Sequence, residues 1–235
     1  MNRPLFDTSR KAPNGSRRSH PAPYWAPLLA RFYQPTGLST PELRELKGTE
    51  VPPPYQSLLV HSSDMTPTLA GYYGQPLRLT VMSRERLKDI YKREVILWTA
   101  ENCRPVEYGV IQIHLDRLPA TARRLVLDER RPLGDILQGE AIPHLSWPQA
   151  FFQLKADPHT GAALGVRQSG FLYGRHNVLL DGSRQLLADV IEVLAPAEPQ
   201  RAAAATSWAK LASNRHAPIL RSTKPKRARL IRART

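Results

Sequence analysis

The sequence feature that most constrains the fold is the dipeptide Asp181-Gly182, which separates two long apolar runs. These runs cover residues 171–180 and 184–194. Asp-Gly between two strand patterns is a strong signal for a β-hairpin, because both residues readily adopt turn conformations. We therefore predict an antiparallel pair of strands here.

Further strand and helix patterns precede this hairpin. A second hairpin is predicted for residues 93–99 and 106–115, with turn residues between them, and a strand for residues 76–83. Short helices are predicted for residues 24–33, 40–47, 68–73, 120–127 and 132–137. Antiparallel strand pairs with separate helices predict an α+β fold, in which helices and flaps cover one face of an antiparallel β-sheet.

The distribution of charge divides the chain into three parts. Residues 57–196 contain 16 Lys and Arg against 15 Asp and Glu, so the net charge of +14 lies mostly outside them. We predict that residues 1–56 are a basic, Pro-rich extension with short helices, disordered over 1–23. Residues 197–235 are predicted to be a basic, disordered tail. The central part is therefore the candidate folded domain.

Two charged residues interrupt the apolar strand patterns. Arg93 shares a strand face with Val95 and Leu97, and Glu192 shares one with Val190. A carboxylate on such a face is costly to bury unless it is paired, hydrogen-bonded or protonated. The pair suggests a pocket for a small anion. The alternatives are strand-end residues that reach solvent and a structural ion pair.

Several common chemistries have no signal in the sequence. Cys103 is the only cysteine, and the seven histidines lack the spacing of metal ligands. No Gly-rich phosphate loop occurs. Ser169-Gly170 does not fit the Gly-x-Ser-x-Gly pattern of a hydrolase elbow. We expect no metal and no cofactor. No apolar stretch approaches the roughly 20 residues of a membrane span, and a secretory signal is lacking, so we expect a cytoplasmic protein.

Five segments appear in an order that is informative as a set. They are an apolar run ending in Asp64-Met65-Thr66, a strand with Arg93-Glu94, Pro132-Leu133-Gly134, Tyr173-Gly174-Arg175, and a last strand with Glu192. In this order they resemble the chorismate pyruvate-lyase family over about residues 57–196. The resemblance implies a six-stranded antiparallel sheet, helical flaps that enclose a buried site, and no cofactor.

The resemblance also implies roles for individual residues. Met65 corresponds to the family's product-contacting Met, Arg93 to its carboxylate-binding Arg, Leu133 to its apolar Leu and Glu192 to its hydroxyl-binding Glu. All four are then substrate-binding residues, and Arg93 and Glu192 are the catalytic ones. The implied reaction converts chorismate to 4-hydroxybenzoate and pyruvate by elimination, most commonly for ubiquinone biosynthesis.

The chain departs from the family pattern at several positions. Val110 follows Gly109 where the best-known members carry a second Arg, so the binding of the second substrate carboxylate is open. Tyr173 replaces a Trp. Arg175 matches the family's hairpin Arg, and either a structural role or a substrate contact is compatible with it. Glu107 has no counterpart with a role, and we interpret it as a strand-end residue.

Two other functions are compatible with the sequence. The first is a non-catalytic module that binds an aromatic acid, in the related fold of regulator effector domains, although no convincing helix-turn-helix precedes the core. The second uses the basic run over residues 221–234, which resembles a segment that contacts nucleic acid or anionic surfaces without specificity. We expect a monomer with a small-molecule substrate, chorismate.

Overall fold

The computed structural model describes residues 23–166 and 170–197. The predictions of disorder and of nucleic-acid contact for the basic termini fall on residues outside this part. Seven strands form one sheet in the order β1-β5-β6-β7-β4-β3-β2, and every neighbouring pair is antiparallel. The strands are β1 (Leu43–Leu46), β2 (Leu77–Leu87), β3 (Ile90–Thr99), β4 (Pro105–His114), β5 (His144–Lys155), β6 (Phe171–Asp181) and β7 (Leu186–Leu194).

Within the described residues, six α-helices accompany the sheet. They are α1 (Ala26–Tyr33), α2 (Tyr55–Leu59), α3 (Met65–Tyr73), α4 (Ala120–Leu127), α5 (Leu133–Gly139) and α6 (Pro158–Leu164). The predicted α+β class with an antiparallel sheet is confirmed. None of the helices within the described residues has both the length and the apolar character needed to cross a membrane.

The two predicted hairpins are present as β3–β4 and β6–β7. The turn of the second hairpin is longer than the Asp-Gly pattern implies, because Asp181 N–H donates to the carbonyl of Gln185. The left-handed backbone conformation in this turn belongs to Arg184, with φ of 60°, and Gly182 does not adopt it. The predicted hairpin is therefore confirmed, and its turn is formed with Arg184 in the left-handed conformation.

Two strands of the sheet were not predicted from the sequence. Residues 40–47 were predicted to be helical, but Leu43–Leu46 form β1, which pairs with β5. This seventh strand is beyond the six implied by the resemblance. Four residues with apolar ends fit a helix pattern as well as a strand, and pairing along the edge of β5 decides between them. Strand β5 itself was not predicted, because Pro148 and a register shift after it interrupt the alternation.

Helices cover both faces of the sheet. On one face, which we call the packed face, α1 and α6 contact a buried cluster that includes Ile96, Tyr108, Val110 and Ile191. On the other, which we call the pocket face, α4 and α5 belong to a buried cluster with Ile111, and α2 and α3 to one with Leu97. The predicted covered face corresponds to the pocket face. The sequence analysis did not predict cover on the packed face, where α1 from the proposed N-terminal extension is part of the core.

Candidate functional site

A pocket lies between the pocket face and the first turns of α3 and α5. Its empty volume is about 560 Å³, including the part open to solvent. All four residues that the sequence analysis selected line it: Met65, Arg93, Leu133 and Glu192. Its other lining side chains are mostly apolar and include Leu79, Val95, Leu97, Ile111, Leu179 and Val190. A mostly apolar pocket with a few converging polar groups is typical of a small-molecule site.

Arg93 is a buried cation without a carboxylate partner among the described residues. Its side chain projects from β3 and is 1% exposed. Its Nη1 and Nη2 atoms donate only long hydrogen bonds, of 3.5 Å to the carbonyl of Val126 and 3.4 Å to that of Arg131. Its Nε–H has no partner. Burial lowers the pKa of Arg93, yet a guanidinium stays charged in proteins. Such a charge is costly unless an anion joins it.

Glu192, in contrast, is paired within the fold. It lies directly across from Arg175 in the β6–β7 register, and Arg175 Nε donates to its Oε2 atom. The remaining Arg175 donors reach the carbonyls of Leu59, His61 and Ser63 at 3.3, 3.1 and 3.2 Å. Arg175 therefore fixes the segment between α2 and α3 over the sheet. Of the two roles left open for Arg175, the structure supports the structural one.

The interpretation of Glu107 as a strand-end residue is corrected by the structure. It is the third residue of β4, but its side chain is 4% exposed and lines the pocket. Its Oε2 atom has no hydrogen-bond partner. Burial raises the pKa of Glu107 well above its usual range, and the nearby charge of Glu192 raises it further, while Arg175 opposes this. These surroundings therefore favour the protonated form of Glu107.

Gly109 forms the floor of the pocket. It lies opposite Val95 of β3 on one side and opposite Glu192 of β7 on the other. A Cβ atom at this position would approach Val95 Cγ2 to 3.0 Å and Glu107 Oε1 to 3.2 Å. The missing side chain leaves open the space between Arg93 and the two acids.

Met65 and Leu133 form the apolar cover. Each is the first residue of its helix, α3 and α5 respectively, and each is buried. The two helix starts approach closely, since a Cβ atom on Gly134 would be 3.2 Å from Thr66 Oγ1. The first-turn N–H groups of a helix have no partner within the helix and favour negative charge. Asp64 and His144 bond at 2.8 Å and connect the start of α3 to β5.

Val110 is oriented away from this site. It belongs to the packed face and lies in the cluster with α1. A side chain at this position therefore has no access to the pocket. Arg93 is the only cationic side chain that lines the pocket within residues 23–166 and 170–197. The second carboxylate of chorismate thus has no second guanidinium in the described lining.

Asn177 is a pocket residue that the sequence analysis missed. Its Nδ2 atom donates to Ser146 Oγ at 3.0 Å, and its Oδ1 atom has no partner. The signal was present, because Asn177 shares a strand face with Arg175 and Leu179 in the run before the turn. No group of three or more side chains suited to a metal ion occurs in the part of the chain that the structure describes.

Comparison with known proteins shows similarity at the level of structure. No family model and no curated protein matches the sequence. The chain is similar to the effector domain of PhnF from Mycobacterium smegmatis, with 12% identity and a TM-score of 0.45, over 58% of this chain and 91% of that one.

Two further structures give similar values. One is a longer PhnF structure, at 12% identity and a TM-score of 0.44. The match covers 58% of this chain and 65% of that one. The other is a GntR-family transcriptional regulator from Bacillus cereus, at 9% identity and a TM-score of 0.38, over 51% of this chain and 92% of that one. TM-scores below 0.5 are too low to carry a functional inference, which must come from the pocket.

Proposed function

We propose that the pocket binds a cyclic carboxylic acid through Arg93 and that the protein is a chorismate pyruvate-lyase, which forms 4-hydroxybenzoate and pyruvate. The observation that carries this proposal is the buried guanidinium of Arg93, which has no carboxylate partner among the described residues. A carboxylate ligand would accept from the free Nε–H and from an Nη–H of the same edge as a two-pronged pair.

The sheet register supports a ligand of one ring. Glu192 is two residues along and two strands across from Arg93, by way of Val95 and Gly109. Strand geometry gives a Cα separation of about 12 Å. Both side chains line the pocket, and Gly109 lies on the strand between theirs. A six-membered ring with a carboxylate at one end and a hydroxyl at the other fits between their head groups.

The chemistry requires positioning more than covalent participation. The enolpyruvyl ether bond breaks, and the ring carbon that carries the hydroxyl loses its proton, so the ring becomes aromatic and the step is downhill. The departing enolpyruvate takes up one proton at its methylene carbon and becomes pyruvate. Arg93 holds the ring carboxylate and Glu192 orients the hydroxyl. Met65 and Leu133, both buried, contact the ring faces and exclude water. Holding the reactive conformer supplies the acceleration.

The test is to incubate the purified full chain with chorismate and to follow pyruvate and the aromatic product by chromatography. We expect equal amounts of pyruvate and 4-hydroxybenzoate, and no turnover in an Arg93→Leu variant. An Arg78→Leu variant is the matched control, because Arg78 is an exposed residue of β2. Unchanged chorismate in the wild-type reaction would reject the lyase.

One observation favours a second candidate function. Chorismate has two carboxylates, whereas Arg93 is the only cation in the described pocket lining. A ligand with one carboxylate, such as a hydroxybenzoate, would have that carboxylate paired with Arg93 and no second carboxylate left without a cation. The second candidate is therefore a non-catalytic module that binds an aromatic acid. Tight binding of chorismate or 4-hydroxybenzoate without any consumption of chorismate would favour it over the lyase.

A further inference from the structure

Glu107 is a buried carboxyl group of the pocket that the proposed reaction does not use. It lies opposite Leu97 on β3, which is four residues from Arg93. At strand spacing this places Glu107 about 13 Å further along the sheet, at the end of the pocket remote from the cation. On the other side of β4, Glu192 lies opposite Gly109, two residues from Glu107. The pocket therefore has a cation at one end and two acids at the other.

The two acids differ in their surroundings. Arg175 donates to Glu192 and neutralises it, whereas no cation is hydrogen-bonded to Glu107. The other titratable groups that line the pocket are Asp64, which bonds His144, and Arg93. The surroundings of Glu107 thus favour the neutral carboxylic acid, which has one O–H donor as well as acceptor capacity.

We propose that Glu107 donates a hydrogen bond to the ligand and so selects acids with an acceptor oxygen at the end of the ring opposite the carboxylate. This inference rests on the proposed binding of a cyclic carboxylic acid at Arg93. A ligand without that oxygen leaves the buried donor unpaired, which is the usual source of strong discrimination in polar pockets. The para hydroxyl of 4-hydroxybenzoate supplies the oxygen, and benzoate lacks it.

The experiment is a calorimetric titration of the full chain at pH 6 with 4-hydroxybenzoate and with benzoate. We expect wild type to prefer 4-hydroxybenzoate by about 10-fold or more, as one buried hydrogen bond implies. Glu107→Leu removes the donor at similar volume, so its preference should fall to about 2-fold while benzoate affinity is retained. Glu107→Gln keeps a donor in the N–H₂ group and should restore the preference.

A second readout distinguishes this role from a structural one. Raising the pH removes the proton of Glu107 and, with it, the donor, so wild-type affinity for 4-hydroxybenzoate should decline relative to that for benzoate. The Glu107→Gln variant cannot lose a proton at this position and should show no such decline.

The outcomes separate the inference from the proposed function. A 10-fold preference that survives in Glu107→Leu overturns the role of Glu107, and so does an equal loss of both ligands in that variant. The proposed function is tested separately by Arg93→Leu. If both acids bind this variant as they bind wild type, or if neither binds wild type, the proposed site is wrong and the inference fails with it.

Discussion

Arg93 and Glu94 are consecutive residues of β3, both are buried, and they project to opposite faces of the sheet. On the packed face, Glu94 accepts a hydrogen bond of 2.7 Å from Tyr108 Oη and another from His159 Nε2. On the pocket face, Arg93 makes only long contacts to two carbonyls. The same strand therefore buries one charge that the fold satisfies and one that has no charged hydrogen-bond partner among the described residues.

Other carboxylates on the packed face are hydrogen-bonded as Glu94 is. Tyr33 Oη donates to Asp157 at 2.8 Å, and His176 and Asp189 bond at 2.6 Å. On the pocket face, the Arg175–Glu192 pair is satisfied in the same way, but Glu107 is not. The comparison shows that burial alone does not identify a functional charge. The informative property is burial without a partner, in the wall of a cavity.

The largest expected effect comes from removing the unsatisfied cation. Arg93→Leu should lower the affinity for 4-hydroxybenzoate by at least about 100-fold, on the order of 3 kcal/mol, because the ligand carboxylate loses its only charged partner. The free energy of unfolding should stay the same or increase, since an unpaired buried charge is removed. Calorimetry and urea unfolding measure the two quantities. A marked loss of stability would show that Arg93 is a structural residue.

Arg175→Met, in contrast to Arg93→Leu, should lower the free energy of unfolding. It leaves the Glu192 carboxylate buried without its partner and removes the donors to the segment between α2 and α3. We expect a loss of about 3–5 kcal/mol in the free energy of unfolding, measured in urea. Wild-type stability in this variant would contradict the structural role of Arg175.

Glu94→Gln tests the packed face. The hydrogen bond to Glu94 raises the pKa of His159, although burial opposes this. A raised folded-state pKa stabilises the protein fully below the ordinary value of 6.5, and this contribution is lost as the pH rises through the folded-state value. The variant should lose about 1–3 kcal/mol, most of it at pH below 6. Its ligand affinity should match that of wild type.

The pH dependence provides the control for that variant. The stability difference between wild type and Glu94→Gln should narrow between pH 6 and pH 9. A difference that is constant over this range would mean that His159 does not titrate against Glu94. A loss of ligand affinity in Glu94→Gln would show that the two faces are not independent.

The smallest effect is expected from Gly109→Ala. The added methyl group would contact Val95 and Glu107 at the pocket floor, so we expect ligand affinity to fall by about 10-fold. Gly71→Ala is the matched control, because a Cβ atom on Gly71 in α3 meets no atom within 4 Å. It should leave affinity unchanged. Equal affinities in both variants would place the ligand away from the floor.

The sequence predicted the hairpins and the faces of Arg93 and Glu192, because strand alternation is a local property. It did not predict β1 or β5, since a four-residue strand and a strand interrupted by Pro148 depend on their neighbours. The prediction that Met65 and Leu133 share a site with these residues came from the resemblance, and the structure brings all four together.

The sequence could not predict which of the two acids, Glu107 or Glu192, is paired with an arginine. Both residues lie on apolar strand faces, so the alternation pattern does not distinguish them. Their surroundings differ because the β6–β7 register places Arg175 opposite Glu192, whereas Leu194 lies opposite Glu107. Register across three strands is a tertiary property, so a single strand pattern cannot reveal which acid is paired.

The most direct test of the central claim is a crystal structure of the full chain with 4-hydroxybenzoate. We expect the ligand carboxylate within about 3 Å of the Arg93 guanidinium, and the hydroxyl directed toward Glu192 and Glu107 between Met65 and Leu133. A ligand bound elsewhere, with Arg93 still lacking an anionic partner, would contradict the account.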